Sequence, residues 1–444
     1  MSEDVEFEDS THTRFLQSMA SPKPQQVEQL LRLFHAALDA ANPFSVVPPH
    51  LPSPPNGRTV VVGMGKAAAA MAAAVEANWK GKLTGIVVVQ PGAALPLKRI
   101  RVVEGSHPVP DVMSSFAAQL LMKCVGNLSS EDLVIALISG GGSALCASPA
   151  LGLSLNDKGH ITKKLLSGGA TIAEINIVRK HLSLIKGGRL AVLAYPARVV
   201  SLMISDIPGD DPALIASGPT LPDPTTCEEA HAVLMRYGIN DLPNVCEGLS
   251  TGTWESVKPT DTRLIRNTHK IVASAWDGLT AAARQAAFEG LPCHVLSDAM
   301  EGEAREVAKA HAAIALSIAN HNAPFIPPCV VISGGETTVT LRGKGRGGRN
   351  TEFALALAIA LEGQSGACRI HALSAATDGL DGTSDAAGAW ISPTTIQSAR
   401  LQGLKPRSSL DDNDSATLMS AVGTLVHTGP TLTNINDFRA ILIE

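Results

Sequence analysis

Short apolar segments that favour strands alternate with helical segments along most of the chain. The clearest strands of the first half are residues 59–62, 85–89, 133–139 and 198–204. Such alternation is typical of βαβ units, whose strands are parallel. Aromatic residues make up only 3% of the chain, so its cores must be built from Ala, Leu, Val and Ile, as in helices packed on parallel sheets. The sequence therefore predicts an α/β fold with mainly parallel sheets.

The length of 444 residues exceeds what one hydrophobic core usually organises, which favours two domains. A turn-rich segment, residues 221–259, interrupts the alternation, and a new strand pattern begins at residues 269–273. We therefore predict a Rossmann-like N-terminal domain over residues 46–255 and a C-terminal α/β domain over residues 262–444, with the active site in the cleft between them. A helix over residues 23–41 precedes the first domain.

Charge and cysteine content exclude several classes of protein. The net charge of −5 and the pI near 6.2 provide no electrostatic surface for nucleic acid. The seven cysteines form no C-x-x-C pair, which indicates reduced thiols of a cytoplasmic protein rather than a disulfide or zinc framework. Residues 1–9 are acidic, unlike the basic start of a signal peptide, and no apolar run reaches the roughly 18 residues of a membrane span.

A first glycine turn, Gly63-Met64-Gly65-Lys66, follows the strand at residues 59–62. Glycines at such a turn let backbone N–H groups approach an anion. The spacing also matches a dinucleotide fingerprint, but the next strand ends at Gln90, where that fingerprint needs an acidic residue for the ribose. A P-loop is excluded because Ala67 stands where Ser or Thr is required. We predict an anion-binding turn with Lys66 at its tip; the alternative is tight strand–helix packing beside a solvated lysine.

A second glycine-rich loop, residues 139–143, follows the buried strand before it. We call it the glycine loop; its members are Ser139, Gly140, Gly141, Gly142 and Ser143. Consecutive glycines at the carboxyl end of a parallel strand suit a nest for phosphate or carboxylate. The alternative is a flexible turn without a ligand.

Two acidic turns also follow predicted strands. The first, residues 205–211, carries Asp206 next to the strand and two further aspartates. The second, residues 374–388, carries Asp378, Asp381 and Asp385. Carboxylates at strand ends can hold Mg²⁺ or accept hydrogen bonds from hydroxyl groups of a ligand. The alternative for both is a solvated turn, because Asp and Gly are common turn formers.

The most unusual segment is a basic loop, residues 341–350, in which four cations and four glycines interleave before a predicted helix at 351–361. Glycine suggests mobility, and the cations offer a counter-charge for phosphate, as phosphoryl transfer requires. The alternatives are a solvated basic loop and an RNA-binding segment. The second is disfavoured because the loop lacks aromatic residues and lies within an acidic chain.

Seven motifs occur together in one order. They are GMGKAA (63–68), SHPVPD (106–111), SGGGSAL (139–145), SDIPGDD (205–211), SGGETTV (333–339), GRGGRNTEFAL (345–355) and ATDGLDGTSDAAG (376–388). In this order, spread over nearly the whole chain, the set resembles the class II glycerate kinases, the family whose C-terminal portion is called the MOFRL domain.

The resemblance implies an enzyme that uses ATP and Mg²⁺ to phosphorylate the 2-hydroxyl of D-glycerate (EC 2.7.1.165). It assigns the catalytic lysine and arginine to Lys66 and Arg349. We add Asp206, with Asp378 as a second candidate, as the group that holds Mg²⁺ or polarises the acceptor hydroxyl. The predicted residues that bind substrate or phosphate are Gly63, Gly65, the glycine loop, Glu336, Asn350 and Asp378.

Two other functions remain as alternatives. Many relatives of this kind are labelled hydroxypyruvate reductases, so an NAD(P)-dependent hydroxypyruvate or tartronate reductase is the first, although Gln90 argues against it. The second is a non-catalytic sensor of hydroxy acids or their phosphates, for which no output domain is visible. The expected partners are small-molecule substrates, without nucleic acid or membrane, and a homodimer is compatible with the sequence.

Overall fold

A computed structural model describes residues 24–444 of the protein and divides them into two units. The N-terminal unit contains residues 38–278 together with 432–435, and the C-terminal unit contains the described residues up to 37, residues 279–431 and residues 436–444. The acidic residues 1–9 and the predicted start of the first helix at residue 23 lie outside the described part of the chain.

The N-terminal unit is built on a six-stranded sheet with the order β3-β2-β1-β4-β5-β6. Its strands are β1 (Thr59–Met64), β2 (Thr84–Val89), β3 (Ile100–Glu104), β4 (Leu133–Ile138), β5 (Arg198–Ile204) and β6 (Thr268–Ala273). Every pairing in this sheet is parallel. This is the strand order of the doubly wound Rossmann fold, so the predicted α/β class and its Rossmann-like domain are confirmed.

Helices cover both faces of this sheet, as buried parallel strands require. Helix α3 (Ala68–Asn78) lies on one face, and α4 (Val112–Val125) and α8 (Arg189–Leu193) lie on the other. The other helices of the unit are α1 (Gln25–Ala40, shared by both units), α2 (Pro43–Val46), α5 (Gly142–Leu145), α6 (Leu155–Ser167), α7 (Ile172–His181), α9 (Cys227–Arg236) and α10 (Pro243–Ser250). Five of the seven alanines of α3 are buried, which lets this helix lie close to the sheet. Ser154 and Thr171 begin α6 and α7 as capping boxes.

The boundary between the units differs from the one expected at residues 256–261. Strand β6 pairs with β5 in the first sheet, so the N-terminal unit continues to residue 278, inside α11 (Ala275–Phe288). The turn-rich segment 221–259 holds α9 and α10, which pack on α7 in a cluster of their own. Its many turns therefore reflect short helices within the unit rather than a linker.

The C-terminal unit contains a second six-stranded sheet with the order β13-β12-β11-β14-β9-β7. Its strands are β7 (Cys293–Ser297), β9 (Cys329–Ser333), β11 (Ile370–Ala376), β12 (Gly388–Ile391), β13 (Leu425–Val426) and β14 (Asp437–Ile443). Only β7 and β9 pair in parallel; the other four pairings are antiparallel. The expectation of a mainly parallel sheet is therefore wrong for this unit.

The physical reason is connectivity. The chain passes from β11 to β12 without an intervening helix, so these strands form an antiparallel pair. Strand β14, which the sequence pattern did not predict, lies between β11 and β9 and runs antiparallel to both. A separate two-stranded ribbon joins β8 (Gly302–Glu303) and β10 (Thr337–Thr338).

One face of the second sheet is covered by two long helices that pack on each other, α12 (Ala304–His321) and α13 (Arg349–Leu361). The remaining helices of the unit are α14 (Thr395–Leu401), α15 (Pro406–Asp411) and α16 (Ser415–Ala421). Within residues 24–444, we find no helix with the length and apolar character that a membrane crossing demands.

Candidate active site

The strand order of the first sheet reverses between β1 and β4, and the loops that follow these two strands contact each other. The backbone N–H of Lys66 donates to the carbonyl of Gly140 at 2.9 Å, and the N–H of Ala67 donates to Ser139 Oγ at 3.0 Å. A side chain on Gly65 would begin 2.2 Å from Ser139 Oγ, so this glycine is required by close approach. Ligands of doubly wound sheets bind at this switch point, which makes the two loops a candidate site.

Gly63 does not belong to this loop. It lies inside β1, and a Cβ there would stand 2.8 Å from Val87 Cγ1 and 2.9 Å from the carbonyl oxygen of Leu137. Close packing between neighbouring strands accounts for this glycine without any ligand, so the predicted anion contact at Gly63 is not supported.

The glycine loop brings several polar side chains together within the N-terminal unit. A Cβ on Gly140 would lie 1.8 Å from Asp206 Oδ2, and one on Gly141 would lie 3.2 Å from the His107 ring and 3.5 Å from Lys66 Cγ. The lack of side chains in the loop therefore lets a lysine, a histidine and a carboxylate approach the same stretch of backbone. This grouping supports the prediction that the loop lies at a ligand site.

Asn434 holds the Asp206 carboxylate. Its amide Nδ2 donates to Asp206 Oδ2 at 3.2 Å, although 228 residues separate the two in sequence. Asn434 is buried and belongs to the short segment 432–435 that the N-terminal unit takes from the end of the chain. By contrast, Asp211 Oδ1 accepts from the N–H of Ala213 at 2.9 Å, which is an ordinary turn-forming bond. Asp206 is therefore the distinctive carboxylate of its turn.

The other members of the glycine loop differ in what they can contact. Ser139 is fully buried, and a Cβ on Gly142 would stand 2.9 Å from Met64 Cγ, so both serve packing. Ser143 is half-buried, and its Oγ lies 3.0 Å from Ser217 Oγ, which in turn donates to Asn176 Oδ1 at 2.9 Å. Within this loop, the backbone around Gly141 and the Ser143 side chain are therefore the groups that packing leaves open for a ligand.

In the C-terminal unit, Arg349 is the first residue of α13. Its Nε donates to Asp437 Oδ1 at 2.8 Å, and its Nη1 donates to Glu336 Oε1 at 2.6 Å. Burial opposes the charge, but Asp437 and Glu336 more than offset it and raise the pKa of Arg349. A quarter of the side chain remains exposed, so the unit holds a permanently charged guanidinium in a fixed position that is partly open to solvent.

Asp437 organises this part of the unit, and the sequence pattern did not reveal it. Besides Arg349, its carboxylate accepts from Asn350 Nδ2 at 2.8 Å and from Arg439 Nη2 at 2.6 Å. Asp437 and Arg439 are both buried and stand two residues apart on β14, hence on the same face. The available signal was a pair of charged residues two apart in the apolar segment 437–443.

Asn350 supports the site from inside the fold. It is completely buried; its Nδ2 donates to Asp437 and its Oδ1 accepts from Ser374 Oγ at 2.7 Å, so the predicted contact with substrate is not supported. Asp381 caps the start of α13 by accepting from the N–H groups of Asn350 at 2.9 Å and Thr351 at 2.8 Å. This cap fixes where Arg349 begins the helix.

The glycines of the basic loop have a different role from the mobility that the sequence suggested. A Cβ on Gly343 or Gly345 would lie 2.2–2.3 Å from Asp412 or Asp414, and one on Gly348 would lie 2.5 Å from Asp381. These glycines let the backbone pack closely against residues 412–414. The basic loop is therefore held in place, and its last residue, Arg349, is positioned rather than mobile.

The three aspartates of the second acidic turn have different roles. Asp381 is the helix cap, and exposed Asp385 accepts a bond from Arg346. Asp378 is buried, and its Oδ1 accepts from the N–H of Leu380 at 3.1 Å. Among the three, Asp378 is the carboxylate that stands closest to the end of β11.

Comparison with known proteins decides the family. The MOFRL family profile matches residues 329–437, and a domain of unknown function (DUF4147) matches residues 29–249. The D-glycerate 2-kinase of Thermotoga maritima is 37% identical over 95% of this chain and 99% of its own. The chain belongs to the class II glycerate kinase family. A solved glycerate kinase from Thermotoga maritima superposes with a TM-score of 0.83 at 36% identity, covering 95% of this chain and all of the other.

One member of this family carries a different name. A putative hydroxypyruvate reductase of Agrobacterium vitis is 51% identical over 93% of this chain and 94% of its own. In the present chain, β2 ends at Val89 and is followed by Gln90. A dinucleotide-binding Rossmann domain needs a carboxylate at this strand end for the ribose hydroxyls. The geometry of this glycerate kinase relative therefore gives the reductase label no support.

Proposed function

We propose that this protein is a D-glycerate 2-kinase, which transfers the γ-phosphoryl group of ATP to the 2-hydroxyl of D-glycerate. The observation that carries the proposal is the grouping of Lys66 and Asp206 around Gly140 and Gly141, at the switch point of a Rossmann-order sheet. This arrangement offers a cation and a carboxylate beside a backbone suited to anions, but no acid for a nicotinamide dinucleotide. The names of the related kinases support the same choice.

In the proposed mechanism, Lys66 and Arg349 both act on the transferred phosphoryl group and neutralise the charge on its oxygens. Phosphoryl transfer requires little covalent assistance from the protein, so positioning and electrostatic stabilisation supply most of the rate. Asp437 and Glu336 orient the Arg349 guanidinium, while the N–H of Lys66, bonded to Gly140, fixes the turn that carries the lysine. Backbone around Gly141 and the Ser143 hydroxyl accommodate anionic groups.

The residues present fit a magnesium ion. Asp206 offers hard carboxylate oxygens at the carboxyl end of β5, and Asn434 fixes the orientation of this carboxylate. Asp378 is the second candidate ligand. A magnesium ion held by these carboxylates would supply positive charge that neutralises phosphate oxygens during the transfer.

The experiment that tests this function compares two reactions in one preparation. We expect formation of ADP that depends on both D-glycerate and Mg²⁺, and no oxidation of NADH or NADPH with hydroxypyruvate. Reduction of hydroxypyruvate by a preparation that is inert toward ATP would favour the reductase instead. A protein that binds glycerate tightly but catalyses neither reaction would fit the sensor.

Asp206→Asn tests the proposed metal ligand. If Asp206 holds Mg²⁺, the substitution should raise the Mg²⁺ concentration for half-maximal activity by about tenfold or more and lower kcat, without loss of the fold. Asp211→Asn is the control, since Asp211 forms a turn with Ala213; it and Asp210→Asn should have much smaller effects. Equal, mild effects of all three substitutions in a Mg²⁺ titration would indicate that residues 205–211 form a solvated turn without a metal ligand.

A further inference from the structure

A lysine occupies a core position between two helices of the N-terminal unit. On α6, Lys158, Ile161 and Leu165 follow one another at helical spacing and are all buried. Ile175 and Val178 of α7, with Leu182 just after the end of that helix, belong to the same hydrophobic cluster as Ile161 and Leu165. Lys158 thus lies one turn before Ile161 and Leu165 on the buried face of α6, where an apolar residue would be expected.

No partner for this ammonium group exists within residues 24–444. Lys158 is only 8% exposed, and its Nζ forms no hydrogen bond in the described part of the chain. Burial, together with the charges of Lys186, Arg179 and Arg189, lowers the pKa of Lys158 well below its ordinary value. A buried cation without a counter-charge is costly, so the fold maintains an unfavourable arrangement here.

Two further cations near Lys158 also lack carboxylate partners among the described residues. Lys186 is 2% exposed and donates to the carbonyl oxygens of Ser143 at 2.8 Å and Cys146 at 3.3 Å. Burial lowers the pKa of Lys186 to about 8. Arg179, on α7, is half-buried, and burial lowers its pKa as well.

Other charges in this region are already compensated. Lys180 pairs with buried Asp223 at 3.3 Å. Arg189 donates to four carbonyl oxygens, and unlike Lys186 it also has carboxylates nearby, those of Asp223 and Glu255, which favour its charged form and raise its pKa against the effect of burial. The uncompensated set is therefore Lys158, Arg179 and Lys186, which we call the cation cluster.

The cation cluster is joined to the glycine loop. The Lys186 ammonium group holds the carbonyl of Ser143, and the Ser143 hydroxyl contacts Ser217, which donates to Asn176 on α7. Asn176 and Arg179 stand three residues apart and so share a face of that helix. Ser143 and Arg179 are only half-buried, so each keeps part of its surface exposed to solvent.

We infer that the cation cluster and Ser143 form an oxyanion subsite, which binds a carboxylate or phosphate group of a substrate next to the glycine loop. This inference depends on the proposed function in one respect only, namely that the substrates carry a carboxylate or phosphate group. The bound anion provides the negative charge that the described residues do not place next to Lys158. Its binding therefore offsets the free-energy cost of burying the Lys158 ammonium group. The subsite extends the candidate site to residues for which the sequence analysis gave no role.

The test measures the melting temperature and ligand affinity of the whole protein, with D-glycerate, inorganic phosphate and ADP as separate probes and chloride at equal ionic strength as the reference. Lys158→Met removes the buried charge at similar volume and should raise the melting temperature without a probe. Lys158→Met should also weaken the binding of whichever probe stabilises the wild-type protein, by at least tenfold in affinity. Lys163→Met, on an exposed position of the same helix, should change neither quantity.

The pattern of responses identifies the anion. A response to D-glycerate alone assigns the subsite to the carboxylate, and a response to phosphate and ADP assigns it to the nucleotide. Arg179→Gln tests a second residue of the cation cluster, at a half-exposed position, and should weaken the binding of the same probe. The inference is overturned if no probe stabilises the wild-type protein, if both variants keep wild-type affinity, or if Lys158→Met lowers the melting temperature without a probe. Because binding is measured without turnover, failure of the kinase assay would not affect this result.

Discussion

Lys66→Ala and Arg349→Ala should each lower kcat by about 10³-fold, with much smaller changes in KM. The physical reason is that a cation acting on the transferred phosphoryl group matters most where charge redistributes, in the transition state. The structure fixes the backbone of Lys66, whose N–H is bonded to Gly140, and the guanidinium of Arg349, which is held by Asp437 and Glu336. Steady-state kinetics with ATP and D-glycerate measure the effect.

The double variant distinguishes joint from separate action. If Lys66 and Arg349 act on one phosphoryl group, losing both should cost far less than the product of the single losses. Lys66→Arg should not restore activity, because a planar guanidinium does not replace an ammonium group on a flexible chain. Arg342→Ala and Lys344→Ala, at exposed positions of the basic loop, are matched controls and should retain most activity. Near-native kcat in the single variants, or losses that multiply cleanly, would rule out a shared role.

Asp437→Asn should be the most damaging substitution for stability among the site residues. It leaves Arg439, which is 1% exposed, with no carboxylate in contact, and a broken buried pair typically costs about 3–5 kcal/mol. It also replaces the charged carboxylate that orients Arg349 with a neutral amide that has one acceptor oxygen, so Arg349 is held less firmly and kcat should fall by about 10²-fold. Denaturant unfolding and steady-state kinetics measure the two losses.

A second substitution separates the two roles of Asp437. In the Asp437→Asn background, Arg439→Met removes the unpaired charge and should recover much of the lost stability, but not the kcat, because the Arg349 Nε still lacks the Asp437 carboxylate. The matched control is Asp385→Asn, which breaks the exposed pair with Arg346 and should cost less than about 1 kcal/mol. If Asp437→Asn were as mild as Asp385→Asn, Asp437 would not organise this unit.

The first sheet could be predicted from sequence because its strands are short apolar segments separated by helices. Strands β1, β2, β4 and β5 were found within two residues of their observed ends. The second sheet was harder, since antiparallel pairing depends on contacts distant in sequence: β14 pairs with β11 and β9, which begin 67 and 108 residues earlier. Strand β14 also begins Asp437-Phe438-Arg439, a mixture of charged and apolar residues that does not indicate a buried strand.

The candidate site was predicted where a motif coincides with a strand end, as for Lys66, Asp206 and the glycine loop. Residues that act through tertiary contacts were missed, because their partners lie far away in sequence. Asn434 contacts Asp206 across 228 residues, and Asp437 contacts Arg349 across 88. Lys158 was missed for another reason: one lysine in a helix gives no sign that it is buried.

The proposed reaction phosphorylates D-glycerate on its 2-hydroxyl, and the position of the phosphate can be read directly. The most direct measurement incubates the purified protein with ATP, Mg²⁺ and D-glycerate in the presence of enolase alone, without phosphoglycerate mutase. Because enolase accepts 2-phosphoglycerate and not the 3-phosphate, we expect phosphoenolpyruvate to appear at once, and to disappear with Lys66→Ala. Phosphoenolpyruvate that forms only after the mutase is added, or no consumption of ATP at all, would contradict the account.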